Sequence, residues 1–405
     1  MPDIFGSLTL QYRSSDPSSP SVGDMYFNTT TRTLRVYTGQ STLSGGTGWI
    51  NLNGKLQYDT YSTAGTFTWT RPPNVKFIDW VIVLGAGGGG ASGNLLASNT
   101  TTATASGAGG GGGGSFIMAS GIYVGNTNSV SVTVGAGGAG GAARSYSKAI
   151  TISSISSQVG LAGSNGGSSS FGSFLTAPGG GGAAAPASIA GAATGGAAGA
   201  ACTTTVYPLW GGYAGTPFPS QELYTTVGAA GGAGGTGDAD GVGGTSGPAR
   251  AYGAFVAGWP SGNAYASGAS KSANTLSTPT TAIFNESSTP RGASAGFSSG
   301  AGGSCGIVST LAISSAGTIR TSGGAGNGAT AVSSCVAAWI TGTGQIMTIT
   351  CGVPTVSANS CGGPGGASIA SAAATAANMT SSQINYTAGA GGAGGDGLVI
   401  IGYQG

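Results

Sequence analysis

Histidine is absent from all 405 residues. That removes Ser-His-Asp triads, Cys-His pairs, HExxH zinc sites and every histidine-ligated metal. Charge is scarce as well. Twelve basic and ten acidic residues make up 5% of the chain, against about 25% in ordinary domains, and leave a net charge of +2. Between Lys148 and Glu222 there is no charge at all. Nucleic-acid binders need clustered Lys and Arg to displace counterions from phosphate, so no nucleic-acid partner is expected. Long apolar runs are missing too: Gly, Ser and Pro break every window short of the ~20 residues that a membrane helix requires. Met1-Pro2-Asp3 opens no basic, then apolar, leader, and the expectation is synthesis in a cytoplasm.

Other catalytic signatures are equally thin. A polysaccharide-cleaving enzyme could work with two carboxylates, yet only Asp238 and Asp240 lie close together, in a Gly-Asp-Ala-Asp-Gly stretch that reads as a polar turn. Too few acidic oxygen donors follow them for calcium. No GxxxxGK[ST] occurs, and GxGxxG matches are uninformative in a chain so rich in glycine. A non-enzymatic protein with no cofactor and no metal is expected. The five cysteines, Cys202, Cys305, Cys335, Cys351 and Cys361, show no CxxC spacing, and their odd number leaves at least one unpaired. Buried thiols acting as small hydrophobes are the better reading, with one disulfide formed late, after release from a cell, as the alternative.

What the chain does have is glycine, 84 residues of it, roughly three times the usual share. It is concentrated in short Gly/Ala tracts bracketed by β-type sequence. Phe77 to Leu84 runs into Gly85-Ala86-Gly87-Gly88-Gly89-Gly90, and Gly389 to Gly397 runs into Leu398-Val399-Ile400-Ile401. A flexible linker has no reason to return to a strand. Gly-Ala-Gly-Gly-Ala-Gly-Gly at 135–141 puts glycine at two of every three positions. A polyproline II helix has three residues per turn and no internal hydrogen bonds, so its backbone must bond to neighbouring helices, and close approach demands glycine. Packed rods are therefore expected, with Gly87, Gly138, Gly181 and Gly392 as structural glycines at the contacts.

The predicted fold class is all-β and irregular, with almost no α-helix. A small β-module occupies 1–56 and a linker 57–64. A glycine-rich domain of packed polyglycine II helices, closed by β-strands, fills 65–405. In the module, Met25–Asn28 and Leu34–Tyr37 read as a hairpin, Trp49–Leu52 as a further strand, and Phe27, Leu34, Val36 and Trp49 as one buried face. Segments of ordinary complexity at 201–227, 251–291, 305–320 and 335–361 read as loops joining rods.

Four motifs in order carry a family resemblance: Gly65-Thr66-Phe67 with Trp80 to Gly90; Val132-Thr133-Val134-Gly135-Ala136-Gly137-Gly138; Gly166-Gly167-Ser168-Ser169-Ser170-Phe171-Gly172 with Ala177-Pro178-Gly179-Gly180-Gly181-Gly182; and Asp396 to Tyr403. Over residues 61 to 405 the chain resembles the glycine-rich adhesins and tail-fibre tips of tailed bacteriophages. Residues 16 to 50 separately resemble a hairpin module of phage fibre proteins, Gly-Asp-x-Tyr-x-Asn-Thr…Leu-x-Val-Tyr…Gly-Trp. The resemblance implies a rigid sandwich of polyglycine II helices on a virion, made in the host cytoplasm. Residues 1–56 would join other virion proteins, and loops at one end would touch a host-surface glycan or outer-membrane protein. A homotrimer is the habit of such fibres. Tyr207, Trp210, Tyr213, Trp259 and Tyr265, aromatics in nearly uncharged loops, are the candidate receptor contacts, because such rings bind with little entropy lost; the competing reading makes them a thin core over the rods. Rival functions are a purely structural fibre or capsid-surface decoration, then an ice-binding protein, then a depolymerase.

Overall fold

A computed structural model describes residues 11–30, 33–37, 49–51, 56–98 (without 74 and 76), 102–148 (without 125 and 126), 156–204 (without 192, 193 and 198), 223–236, 300, 301, 304, 307–310, 318–321, 335–340, 346–354, 359–372 and 383–404. All regular elements among them are strands. The N-terminal module is a four-stranded sheet of β1 (Gln11–Arg13), β2 (Met25–Asn28), β3 (Thr33–Tyr37) and β4 (Trp49–Asn51), in that order. Its Gly-Asp motif is a turn device. Gly23 sits at φ +95, its N–H donates to the Tyr37 carbonyl (2.8 Å), and the Asp24 carboxylate accepts from Ser21 N–H (2.8 Å). The buried positions of β2 are Tyr26 and Asn28, while Phe27, expected inside, is half-buried against Tyr12. The register follows polar chemistry. Tyr26 Oη donates to Asp16, Arg35 bridges to the same carboxylate, and Asn28 Nδ2 donates to Tyr26 Oη (3.1 Å).

The second layer of structure is a sandwich of two five-stranded sheets. β5 (Leu56–Tyr61), β7 (Phe77–Leu84), β10 (Phe116–Tyr123), β17 (Leu223–Thr226) and β24 (Leu398–Gln404) form one sheet, ordered β17-β10-β7-β24-β5. β6 (Gly65–Thr70), β11 (Ser129–Val134), β14 (Ser169–Phe171), β15 (Leu175–Ala177) and β16 (Thr203–Thr204) form the other, ordered β16-β15-β14-β11-β6. Residues 57–64, expected as linker, are thus mostly an edge strand. Alternation works as it should in β11, where Val130, Val132 and Val134 are buried and Ser129 and Ser131 exposed. These valines join Val81, Val83, Ile117, Phe171, Leu175, Val399 and Ile401 in the core between the sheets. Trp69 lies at its centre, edge-on to Phe171 (6.0 Å) and Tyr403 (5.9 Å), with its indole N–H on Asp59 (2.9 Å).

From this sandwich the glycine tracts run out and back as rods. In chain order they are rod 1 (85–93), rod 2 (107–115), rod 3 (135–141), rod 4 (160–167), rod 5 (178–183), rod 6 (195–199), rod 7 (228–235), rod 8 (Gly300, Ala301 and Ser304), rod 9 (360–367) and rod 10 (389–397). Rod 1 shows the rule. The N–H groups of Gly85, Gly88 and Ala91 donate to rod 2, those of Ala86, Gly89 and Ser92 to rod 4, and those of Gly87, Gly90 and Gly93 to rod 10. Each set steps down its acceptor by three, so all three partners are antiparallel. Its carbonyls accept from Gly138 and Gly141 of rod 3, Gly180 and Ala183 of rod 5, and Gly363 and Gly366 of rod 9, all parallel. Three residues per turn is the polyproline II period, and the nine residues of rod 1 extend ~28 Å at 3.1 Å each.

Six neighbours surround rod 1, and bonds between successive neighbours close the ring. Rod 2 is surrounded in the same way by rods 1, 5, 6, 7, 8 and 9. Two overlapping filled hexagons, each centred on a corner of the other, give three layers: rods 4, 5 and 6; rods 3, 1, 2 and 7; rods 10, 9 and 8. Glycine is required by distance. A Cβ on Gly87 would lie 1.8 Å from the Cys361 carbonyl oxygen, and one on Gly138 2.1 Å from that of Ser164. Gly392 would meet the Pro364 ring at 2.6 Å, and Gly181 the Ala197 nitrogen at 2.9 Å. Alanine survives where three rods leave a channel, as with the buried trio Ala91, Ala108 and Ala183, or on an outer face, as with exposed Ala136 and Ala139 of edge rod 3.

Candidate functional site

The rods define two ends. Rods 1, 3, 5 and 7 start at β7, β11, β15 and β17, and rods 2, 4 and 10 finish at β10, β14 and β24, so the sandwich caps one end. Both the strand leading in from the N-terminal module, β5, and the last strand, β24, lie in this cap and pair with each other. Two side chains weld them to the rods. Asp396 accepts from Gly137 N–H (2.9 Å) and Ala64 N–H (3.2 Å), and Asn359 Nδ2 donates to the Ser62 and Gly397 carbonyls (3.0 Å each). Burial and the neighbouring Asp59 raise the Tyr61 and Tyr403 hydroxyls above their ordinary values. Asp79 in β7 is raised by burial, and its Oδ2 has no hydrogen-bond partner.

The other end is built differently. It carries β8 (Leu95–Ser98), β9 (Thr102–Ala105), β12 (Ser145–Lys148), β13 (Ser156–Gln158), β18 (Ile307–Thr310), β19 (Thr318–Thr321), β20 (Cys335–Ile340), β21 (Ile346–Cys351), β22 (Ile369–Ala372) and β23 (Gln383–Thr387). They form small sheets ordered β12-β23-β21-β20 and β13-β8-β22-β19, with the pair β18-β9. Residues 305–320 and 335–361, expected as loops, therefore contribute four strands and the first residues of rod 9.

A buried polar junction lies where rods give way to these strands. Asn94 donates through Nδ2 to Ser106 Oγ (2.8 Å) and the Ser106 carbonyl (3.1 Å), and its Oδ1 accepts from Gly160 N–H (2.8 Å). Ser368 Oγ accepts from Asn94 N–H (3.0 Å) and donates to the Ser106 carbonyl (2.8 Å). Ser304 Oγ accepts from Ala108 N–H (2.7 Å) and donates to the Gly366 carbonyl (2.8 Å). Short hydroxyls thus satisfy backbone groups that the lattice strands at its margin, and a Ser in a Gly/Ala tract is the sequence signal for this.

The five candidate aromatics lie outside the described residues, but their flanks are placed. The segment holding Tyr207, Trp210 and Tyr213 leaves from β16 and returns at β17, both in the sandwich cap. The segment holding Trp259 and Tyr265 leaves rod 7 at the far end and enters rod 8, which runs parallel to rod 7, from the cap side. Asp238 and Asp240 also lie outside the described residues. Among the described residues no group of three potential metal ligands occurs, and no helix is long and apolar enough to cross a membrane.

Cysteine chemistry divides. Cys202 and Cys361 are thiols, and burial pushes Cys202 up to about 11. Cys351 is disulfide-bonded, which goes against the preferred reading of buried thiols and agrees with its alternative of one disulfide. The spacing gave no sign of it, because no CxxC or other local pattern marks a pairing.

No curated protein matches the chain. Residues 61–194 match a family model described as a glycine-rich domain, and that stretch runs from the end of β5 through rods 1 to 5, including the fully enclosed rods 1 and 2.

Proposed function

We propose that the chain is a tail-fibre or adhesin-type virion protein of a tailed bacteriophage, non-enzymatic, held to other virion proteins by residues 1–56 and presenting its glycine-rich domain to the host surface. The observation that carries this reading is polarity. The strand following the module and the final strand share one end of the rods, so the opposite end, with its three small sheets, is left to project. A rod lattice offers a partner little beyond backbone, and recognition falls to the strands and loops at that end. The partner is a host-surface glycan or outer-membrane protein, and a homotrimer is the assembly expected of a fibre.

Trp259 and Tyr265 belong to a segment that leaves the projecting end and enters rod 8 from the cap side, and so has one flank at that end; Tyr207, Trp210 and Tyr213 have both flanks in the cap. Immunogold labelling of virions tests the placement, the expected result being label at a tail tip or fibre end. Label over the capsid would favour the purely structural reading. For the contacts, Trp259→Ala with Tyr265→Ala is expected to cut adsorption at least tenfold with the melting temperature unchanged.

A further inference from the structure

Cys351 closes β21, the strand next to the outermost strand of a sheet at the projecting end. Its disulfide partner is neither Cys202 nor Cys361, which are thiols. Cys305 precedes β18, whose ladder partner is β9 in another sheet. Cys335 opens β20, and the β20–β21 register sets Cys335 directly opposite Cys351. Directly opposed residues of an antiparallel pair have Cα atoms ~4.5–5.5 Å apart, inside the ~4.4–6.8 Å window a disulfide needs. Ile340 pairs with Ile346 at the turn end of the same hairpin, so the cysteines sit at its open mouth.

We propose that Cys335 and Cys351 form a disulfide that closes the mouth of the β20–β21 hairpin at the projecting end, and that it forms only after the protein leaves the cytosol. The connectivity stands on the register alone; the timing rests on the virion reading above. Cytosolic thiol pools keep such pairs reduced. On release, one thiolate attacks a low-molecular-weight disulfide, expelling one small thiolate and leaving a mixed disulfide. The second thiolate then attacks the protein sulfur of that mixed disulfide and expels the other. Two protein thiols are oxidised and one small disulfide is reduced to two thiols. Before this step β20 is an outer strand held by one ladder, and strands of that kind open most readily. Afterwards it is cross-linked to its neighbour, and the projecting surface is fixed when it first meets a host.

Acid quenching and alkylation of infected cells before lysis, and of released particles after it, test the proposal. Chymotryptic mapping follows, since cleavage at Trp339 separates the two cysteines. Expected are alkylated Cys335 and Cys351 before lysis and a Cys335–Cys351 cross-linked peptide after it. In the purified chain, Cys335→Ser should leave Cys351 open to alkylation, while Cys305→Ser should not. Reductant should speed chymotryptic cutting at Trp339 at least tenfold in the parent chain and not in Cys335→Ser. A Cys305–Cys351 peptide, or a Cys351 still alkylated after full oxidation by glutathione disulfide, overturns the connectivity. A cross-link already present before lysis overturns the timing. None of these readouts uses adsorption, so a failed receptor experiment leaves them standing.

Discussion

Single atoms decide most of what this chain tolerates. At Gly87 a methyl group would fall 1.8 Å from a backbone oxygen of a rod that is hemmed in itself. Overpacking costs about 1–3 kcal/mol where neighbours can shift; here Gly87→Ala should exceed that range. At Gly181 the nearest atom is 2.9 Å away, and Gly181→Ala should stay within it. Chemical denaturation of the two variants should preserve that order, and equal losses would speak against rods closed on all sides. Asn94 is held by chemistry instead of space. Asn94→Ala orphans Gly160 N–H inside the protein, a loss of about 1–3 kcal/mol by urea unfolding. Asn94→Asp should cost more, because a carboxylate would face the Ser106 carbonyl that Nδ2 now satisfies. Asp79 works in the opposite direction. Its carboxyl titrates above 3.8 because it is buried, so the folded state favours the protonated form. Its contribution is full below the unfolded value and is lost as pH rises through the folded one. Asp79→Asn should therefore raise the melting temperature at pH 7 and leave it unchanged at pH 3.

At the scale of elements, strands with strict alternation were legible, and so was the three-residue period of the tracts. β11 shows its valines in the sequence, and 135–141 shows its glycines. β5 was not legible: Leu56-Gln57-Tyr58-Asp59-Thr60-Tyr61 is polar because it lies at a sheet edge with Gln57, Tyr58 and Thr60 exposed, and polarity reads as linker. β18, β19 and β21 were missed for a related reason. Short Thr/Ser/Ile strands get their definition from partners far along the chain, as β21 does from β23. Of the candidate site, composition indicated which chemistry to exclude, while the two ends emerged only from hydrogen-bond register. Hydrogen exchange offers a test at this scale. Amides of rods 1 and 2, bonded inside full hexagons, should exchange slowest, and those of outward-facing Ala136 and Ala139 on rod 3 at least a hundredfold faster. Uniform protection across the tracts would contradict the layered arrangement.

For the whole molecule, separation of the N-terminal module from the glycine-rich domain makes a direct prediction. A chain beginning at residue 56 keeps β5 and should melt as the full protein does, yet be missing from purified virions by immunoblot. The lattice also has a temporal meaning. Rod 1 receives its first partner, rod 2, within a few dozen residues, but rods 9 and 10 close its ring only after some three hundred more. Until residue 397 has left the ribosome, rods 1, 3 and 9 each present an unfilled side, with bare amides and carbonyls that no side chain can cover. A nascent chain of this kind gains little by folding piecemeal, since non-local pairings must offset their loop-closure entropy first. Folding should therefore await the final strand, and a ribosome stalled before rod 10 should display a protease-sensitive chain however much of the sequence has already emerged.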